Sequence, residues 1–304
     1  MAKKHLVIID GNHLVHRAFH AIQAKLTTSA GEPTNALFGF ASMLLNIIEA
    51  DHPDYLVVAF DEHAPTFRHE AHEGYKATRV KAPDDLYAQI PRIREMLERT
   101  HIPMFSQEGF EADDFMGTLA VKAAKEGLES TVVTGDMDAL QLVNGHVHVA
   151  FPHKGYREPI VYDREKVFEK YGVYPEQIVD YKALMGDTSD NIKGVHGIGP
   201  KGASSLLAKY KTLDGIYEHL DEIKGGIHDK LESGKKDAYF AQKLAKIVTD
   251  IDLDFDLSKA AFHSCDFNGL ANFFMEMEMH SLQRRLKKVI PEDLRAAKDQ
   301  MSLF

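Results

Sequence analysis

Three short apolar runs rich in β-branched residues each close on an aspartate: His5-Leu-Val-Ile-Ile-Asp10, Tyr55-Leu-Val-Val-Ala-Phe-Asp61 and Ser130-Thr-Val-Val-Thr-Gly-Asp136. Further acids stand in tight groups, Glu111-Ala-Asp113-Asp114, Asp136-Met-Asp138 and Asp187-Thr-Ser-Asp190, which makes nine carboxylates in five places. Taken singly, each has an ordinary reading: acids open helices and cap their free N–H groups, and aspartates populate turns. Brought together, they demand a cation, because two like charges about 4 Å apart repel by ~4 kcal/mol at the effective dielectric of a partly buried site. All-oxygen ligation, with no Cys or His at metal-ligand spacing, favours Mg²⁺ or Mn²⁺ over Zn²⁺. His13, His16 and His20 have helical spacing but no matching zinc-type acid, and His63, His69 and His72 read as solvated. A pair of hard divalent ions in a carboxylate pit suits phosphoryl or phosphodiester transfer, one activating a water and the other stabilising the departing oxygen. No P-loop or glycine-rich nucleotide fingerprint supports ATP chemistry.

Two basic elements complement the acids. Ile192-Lys-Gly194-Val-His-Gly197-Ile-Gly199-Pro200-Lys201-Gly202 lies between two helical stretches, and Asn191–Leu213 holds Lys193, Lys201, Lys209 and Lys211 but no acid. Glycines let a backbone approach a phosphate, Pro200 suits a first helical turn, and the N–H groups of the following helix form an anion site. The run looks like a helix–hairpin–helix clamp for the DNA backbone. Between Asp61 and Pro83, Phe67-Arg68-His69 and Gly74-Tyr75-Lys76-Ala-Thr-Arg79-Val-Lys81 interleave aromatics with cations, a composition suited to phosphate contact and base stacking.

The elements that must position these residues divide the chain. Strand-like runs, with His146–Phe151 as an edge strand, alternate with helical stretches at Ala36–Ala50, Asp84–Thr100 and Glu111–Glu126, which predicts an α/β fold with a mostly parallel sheet covered on both faces. Carboxyl ends of such strands, near a topological switch point, are where ligands bind. From about Tyr174 the strand signal stops, and Glu176–Met185, Lys201–Tyr210, Leu213–His219, Asp237–Thr249 and Leu270–Ile290 suit helices. The 304 residues carry 44% hydrophobic and 27% charged side chains, which excludes a disordered or collagen-like chain. The single cysteine, Cys265, predicts a reducing compartment. The most apolar stretch, Ala36–Ile48, is too short and too interrupted to span a membrane.

With these motifs in hand, the chain resembles the 5′ nuclease (flap endonuclease) family, most closely the N-terminal domain of bacterial DNA polymerase I and its free-standing relatives. The residues that carry the likeness are Ile9-Asp10-Gly11-Asn12, Phe60-Asp61, Phe67-Arg68, Gly74-Tyr75-Lys76, Glu111-Ala-Asp113-Asp114, Thr134-Gly-Asp136-Met-Asp138, Gly186-Asp-Thr-Ser-Asp190-Asn191 and Gly197-Ile-Gly-Pro-Lys201, in family order from about Lys4 to Val289. The resemblance implies a PIN-like catalytic α/β domain at 1–173 with a helical arch at about 62–100, a helical DNA-binding domain at 174–290 and a flexible tail at 291–304. It implies two Mg²⁺ or Mn²⁺ ions, the first held by Asp10, Asp61, Glu111, Asp113 and Asp114 with Asp136 shared, the second completed by Asp138, Asp187 and Asp190. Arg68 and Lys76 would help neutralise the scissile phosphate. Arg17, Tyr75, Arg79 and Lys81 would contact DNA at the pit and arch, and Lys193, Gly197, Gly199, Lys201 and Gly202 would grip the duplex, in the family often with a K⁺ ion.

The implied activity is hydrolysis of DNA at a 5′ end or 5′ flap, RNA-primed ends included, by a monomeric bacterial protein in the cytoplasm at the nucleoid. A DNA-junction scaffold without catalysis and a PIN-like ribonuclease are the alternatives. The terminal Gln300-Met-Ser-Leu303-Phe304 closely matches the pentapeptide by which bacterial proteins bind the sliding clamp. The net charge of −10, from 36 basic and 46 acidic residues, argues against a nucleic-acid partner only until the nine pit acids are set aside. The remainder is then nearly neutral.

Overall fold

The computed structural model describes residues 3–290. Six strands, β1 (His5–Asp10), β2 (Tyr55–Ala59), β3 (Met104–Phe105), β4 (Glu129–Val133), β5 (Val147–Phe151) and β6 (Ile160–Tyr162), form one sheet in the order β3-β2-β1-β4-β5-β6. All neighbours are parallel except β5 and β6. β1 and β2 are buried almost throughout, as continuous apolar strands covered on both faces must be. The connection from β1 runs outward to β2 and β3 and then returns to β4 on the other side of β1. That reversal opens a crevice at the carboxyl ends of β1 and β4.

Alternation along β1 divides the core. Leu6 and Ile8 pack with Phe115, Met116 and Leu119 of the Ala112–Lys125 helix and, further out, with Leu184 and Leu207 of the helical region. Val7 and Ile9 face Leu14, Phe40 and Leu44 from the Gly11–Ala21 and Asn35–Asp51 helices. Phe273, Phe274, Leu282 and Leu286 join this second layer, so the end of the expected 174–290 helical domain packs back on the Asn35–Asp51 and Ile90–Arg99 helices that cover the sheet.

Several elements differ from expectation for identifiable reasons. His146–Phe151 is interior, and the three-residue antiparallel β6 takes the edge. Asp84–Thr100 divides into helices at Asp84–Tyr87 and Ile90–Arg99, because Pro91 lacks an N–H to donate one turn back. The buried Gln89 at the break accepts from Ala36 N and Leu37 N, satisfying the first turn of the Asn35–Asp51 helix. Asp237–Thr249 begins earlier and ends earlier, as the helix Gly226–Ala245. Leu270–Ile290 breaks into Phe267–Glu276 and His280–Val289 at Glu278, which has φ +58° and accepts from Ser29 N.

Candidate active site

The crevice at the switch point collects the acids by local chain geometry. Asp10 ends β1 and caps the Gly11–Ala21 helix, accepting from His13 N at 2.8 Å, while its other oxygen accepts from Thr134 Oγ1 at 2.7 Å. Only glycine fits at position 11, where a Cβ would lie 2.4 Å from the Phe60 ring. Asp61, two residues beyond β2, accepts from Ala112 N at 2.7 Å and so draws in the helix that carries Asp113. Asp136 follows β4 by three residues and caps the next turn, accepting from Asp138 N at 2.9 Å. The result is a cavity of about 400 Å³ lined by Asp10, Asp61, Glu111, Asp113 and Asp136, with Lys76 and Arg79 in its wall.

A second cavity of about 610 Å³ shares His13, Arg79 and Asp136 with the first and adds Asp138, Lys182 and Asp187. Here the loop after the Ile178–Met185 helix is pinched at its neck, where Asp187 and Ile192 exchange backbone hydrogen bonds of 2.7 and 2.8 Å. Gly186 and Gly194 lie back to back there, and a Cβ on Gly194 would meet Gly186 N at 2.2 Å. Asp138, Asp187 and Asp190 thereby bring carboxylate oxygens within 4.8 Å of one another. All-oxygen donor sets in both cavities suit a hard divalent cation.

The electrostatics of the two cavities differ. Burial, reinforced by the neighbouring Asp61 and Asp136 charges, raises Asp10 to about 7, against the opposing His13 and Thr134 hydrogen bonds. Burial and the Asp136 and Asp10 charges raise Asp113 well above the usual carboxylate range. Burial lowers His13 to about 4. Across the way, burial opposes the charge on Asp187, but Lys182 and Ser189 override it and hold the carboxyl down to about 2.

The expected arch segment lies against the pit. Tyr75 is buried, its hydroxyl donating to Glu111 at 3.1 Å and Asp190 at 3.2 Å. Lys76 Nζ donates to Glu111 at 2.9 Å, and Arg79 donates to Asp190 at 2.5 Å. Asn191 Nδ2 ties Gly74 O at 2.8 Å, so the segment is fastened to the loop that carries Asp190. Lys81 is exposed and 3.5 Å from Asp84, and the Arg17 guanidinium stacks over Phe151 at 5.4 Å.

Two residues depart from the expected arrangement. Asp114 is fully buried and points away from the pit, accepting from Arg68 twice at 2.8 Å and from the Glu111 and Val248 N–H groups. Arg68 spends its remaining donors on the Leu244 and Lys246 carbonyls. Burial works against its charge, but the Asp114 carboxylate more than offsets this and keeps Arg68 firmly protonated. In this structure neither Asp114 nor Arg68 is available to an ion or a phosphate; together they clamp the Phe67–Ala71 helix to the chain after Ala245. Glu111 lines the pit, yet its oxygens are taken by Lys76, Tyr75 and Arg68.

Lys182 belongs to none of the sequence motifs, and Thr134 stands in one without its role as hydrogen-bond donor to Asp10 being evident. The signal for Lys182 was a lysine in the last turn of a helix, five residues before Asp187. At the hairpin, Gly199 precedes the Pro200–Tyr210 helix without a side-chain cap, Gly197 has φ +80°, and Lys193 and Lys201 are exposed beside the half-buried Gly202. Lys230 donates to Gly197 O at 3.1 Å. Gln300, Leu303 and Phe304 lie outside the described residues. No described helix is long and apolar enough to cross a membrane.

Residues 5–172 match the family described as 5′-3′ exonuclease, N-terminal resolvase-like domain, and residues 173–268 match 5′-3′ exonuclease, C-terminal SAM fold. DNA polymerase I of Caldicellulosiruptor bescii is 43% identical over 283 residues, covering 92% of this chain and 33% of the relative. DNA polymerase I of Bacillus subtilis is 39% identical over 302 residues, covering 99% and 34%. The chain thus spans about a third of the length of these curated relatives. Among solved structures, the T5 D15 protein co-crystallised with metal ions has a TM-score of 0.65 at 20% identity, covering 96% of this chain and 99% of that one. The catalytic core of Rad2 in complex with DNA substrate has 0.63 at 15%, covering 96% and 93%. These two likenesses concern the fold.

Proposed function

We propose, from the premise that the chain belongs to the 5′-3′ exonuclease family, that it is a structure-specific 5′ nuclease hydrolysing DNA phosphodiesters at 5′ ends and 5′ flaps. The observation that carries this reading is the convergence of Asp10, Asp61, Asp113 and Asp136 with the Asp138–Asp187–Asp190 set around two adjoining cavities at the sheet's switch point. Buried like charges of this density need a cation, and carboxylate oxygens fit Mg²⁺ or Mn²⁺. Asp10, Asp61 and Asp113, with Asp136 shared, would hold one ion, and Asp138, Asp187 and Asp190 the other. Bound there, such ions supply Lewis-acid stabilisation of the scissile phosphate and a water nucleophile at neutral pH.

This chain's own groups do the orienting. Thr134 and the His13 N–H fix both oxygens of Asp10, and the Ala112 N–H fixes Asp61. Lys76 and Arg79 stand in the wall of the pit and would meet phosphate oxygens as the 5′ strand enters. Glu111 and Tyr75 hold Lys76 and Asp190 in place. The Gly197–Gly202 turn, with Lys193 and Lys201, would grip the duplex by its phosphates at a helix N-terminus. A K⁺ ion at this turn rests on the family resemblance alone. The metal ions named for T5 D15 and the DNA substrate named for Rad2 support the same reading. Sliding-clamp binding through Gln300, Leu303 and Phe304 rests on sequence alone.

Incubation with 5′-flap DNA, and separately with single-stranded RNA, tests the proposal. The expected result is Mg²⁺-dependent cleavage of the flap near its junction, leaving a 5′-phosphate and a 3′-hydroxyl. Flap DNA bound but intact with both Mg²⁺ and Mn²⁺ would make the protein a junction-binding scaffold. Faster cleavage of the RNA would make it a ribonuclease.

A further inference from the structure

The two cavities differ in where their countercharge comes from. Among the described residues, Asp10, Asp61, Asp113 and Asp136 have no lysine, arginine or histidine nitrogen in salt-bridge range. Asp138, Asp187 and Asp190, by contrast, each already have one. Lys182 Nζ bridges Asp138 and Asp187, at 2.6 Å from Asp187 Oδ2, and Arg79 pairs with Asp190. The Lys182 side chain is only 13% exposed, so its ammonium has given up most of its water for these two carboxylates. Its position between two of the three oxygen donors that approach within 4.8 Å is the position a small cation would take.

Lysine suits an exchangeable role better than arginine. Its ammonium is a point charge on a flexible four-carbon stem, with no planar fork to lock it to one partner. The cavity of about 610 Å³ that it lines leaves room for the stem to swing. An incoming divalent ion doubles the charge at this position, so exchange is electrostatically downhill, but the ammonium's own pairing is subtracted from the ion's affinity.

Resting on the two-ion reading above, we propose that Lys182 is a displaceable counter-cation of the Asp138–Asp187–Asp190 site, which a divalent ion enters only by expelling the ammonium. Lys182 therefore sets the affinity of that site without being one of its ligands. It also keeps the loop carboxylates in place while the site holds no ion, so the second site is preformed but guarded. Its neighbour at the sheet ends has no such guard and fills first.

Mn²⁺ titration by calorimetry, without DNA, on the wild type and on Lys182→Met tests this. The expected wild-type isotherm has a tight and a weaker class. In the variant the weaker class tightens by about tenfold, with the number of ions and the tight class unchanged. A weaker class that is unchanged or weakened in Lys182→Met overturns the proposal; two bound ions together with intact flap cleavage would leave the nuclease reading standing. No Mn²⁺ binding to the wild type would overturn the two-ion reading itself. Reductive methylation of the wild type, read by mass spectrometry, is independent of how the variant folds. Lys182 should react slowly without metal and several-fold faster with saturating Mn²⁺, and a rate indifferent to Mn²⁺ overturns the proposal.

Discussion

Asp10 and Asp113 sit on one side of the pit and Asp187 on the other, all three aspartates, yet their surroundings act on them in opposite directions. The first pair is set on the rigid ends of β1 and the Ala112–Lys125 helix, deprived of water and pushed toward the protonated state. Asp187, by contrast, belongs to a pinched loop and pairs with Lys182, which holds it ionised. One half stores electrostatic repulsion; the other discharges it through the Lys182 ammonium. Carboxylates alone therefore do not define a metal site. The neighbours decide whether its carboxylates repel one another or are already paired.

The sharpest way to break this comparison uses adjacent residues. Asp113→Asn should lower Mg²⁺-dependent flap cleavage by on the order of 10³-fold or more, with DNA affinity within a few-fold. Because it removes a buried like charge, it should also raise the metal-free melting temperature at pH 8. A variant that still cleaves would remove Asp113 from the site. Asp114→Asn and Arg68→Met, one residue away or bonded to it, should behave differently. Each breaks a buried ion pair and should cost about 3–5 kcal/mol of folding stability in denaturant titrations. If either folds as tightly as the wild type and fails only in catalysis, Arg68 and Asp114 belong to the reaction after all.

A smaller effect separates the halves by pH. Raised carboxyls such as Asp10 and Asp113 favour the folded state while protonated, a contribution complete below about pH 4 and lost as pH rises, through about 7 for Asp10. His13, lowered to about 4, acts in the opposite sense up to about pH 6.5 and offsets roughly one of the two. The Asp187 contribution is present above about pH 4 and falls away only as the pH drops toward 2. Between pH 5 and 7, the metal-free protein should therefore lose thermal stability while the increment from added Mn²⁺ grows. A pH-independent increment would mean that the ions enter without displacing protons.

Much of this is legible in the amino-acid sequence. Continuous apolar runs ending on aspartate identified β1 and β2 and, to within a few residues, β4 and its Asp136, because a strand buried on both faces leaves a signal that few other elements share. The partition inside Glu111–Asp114 was not legible. A helical start turns adjacent acids to different sides, and which side meets a pit and which meets Arg68 depends on a residue more than forty positions away. Lys182 is illegible for a related reason: a lysine in a last helical turn ordinarily complements the helix dipole, and only the fold brings Asp138 to it. The break at Glu278 has neither proline nor glycine; Ser29, distant in the chain, holds it open.

Counting ions tests the two-halved pit most directly. Equilibrium dialysis against saturating Mn²⁺ should find two ions per chain in the wild type and one in each of Asp113→Asn and Asp187→Asn, the ion kept by Asp187→Asn being the tighter. Loss of both ions from either variant would make the pit a single cooperative site, and two ions retained in both would contradict the assignment of these carboxylates altogether.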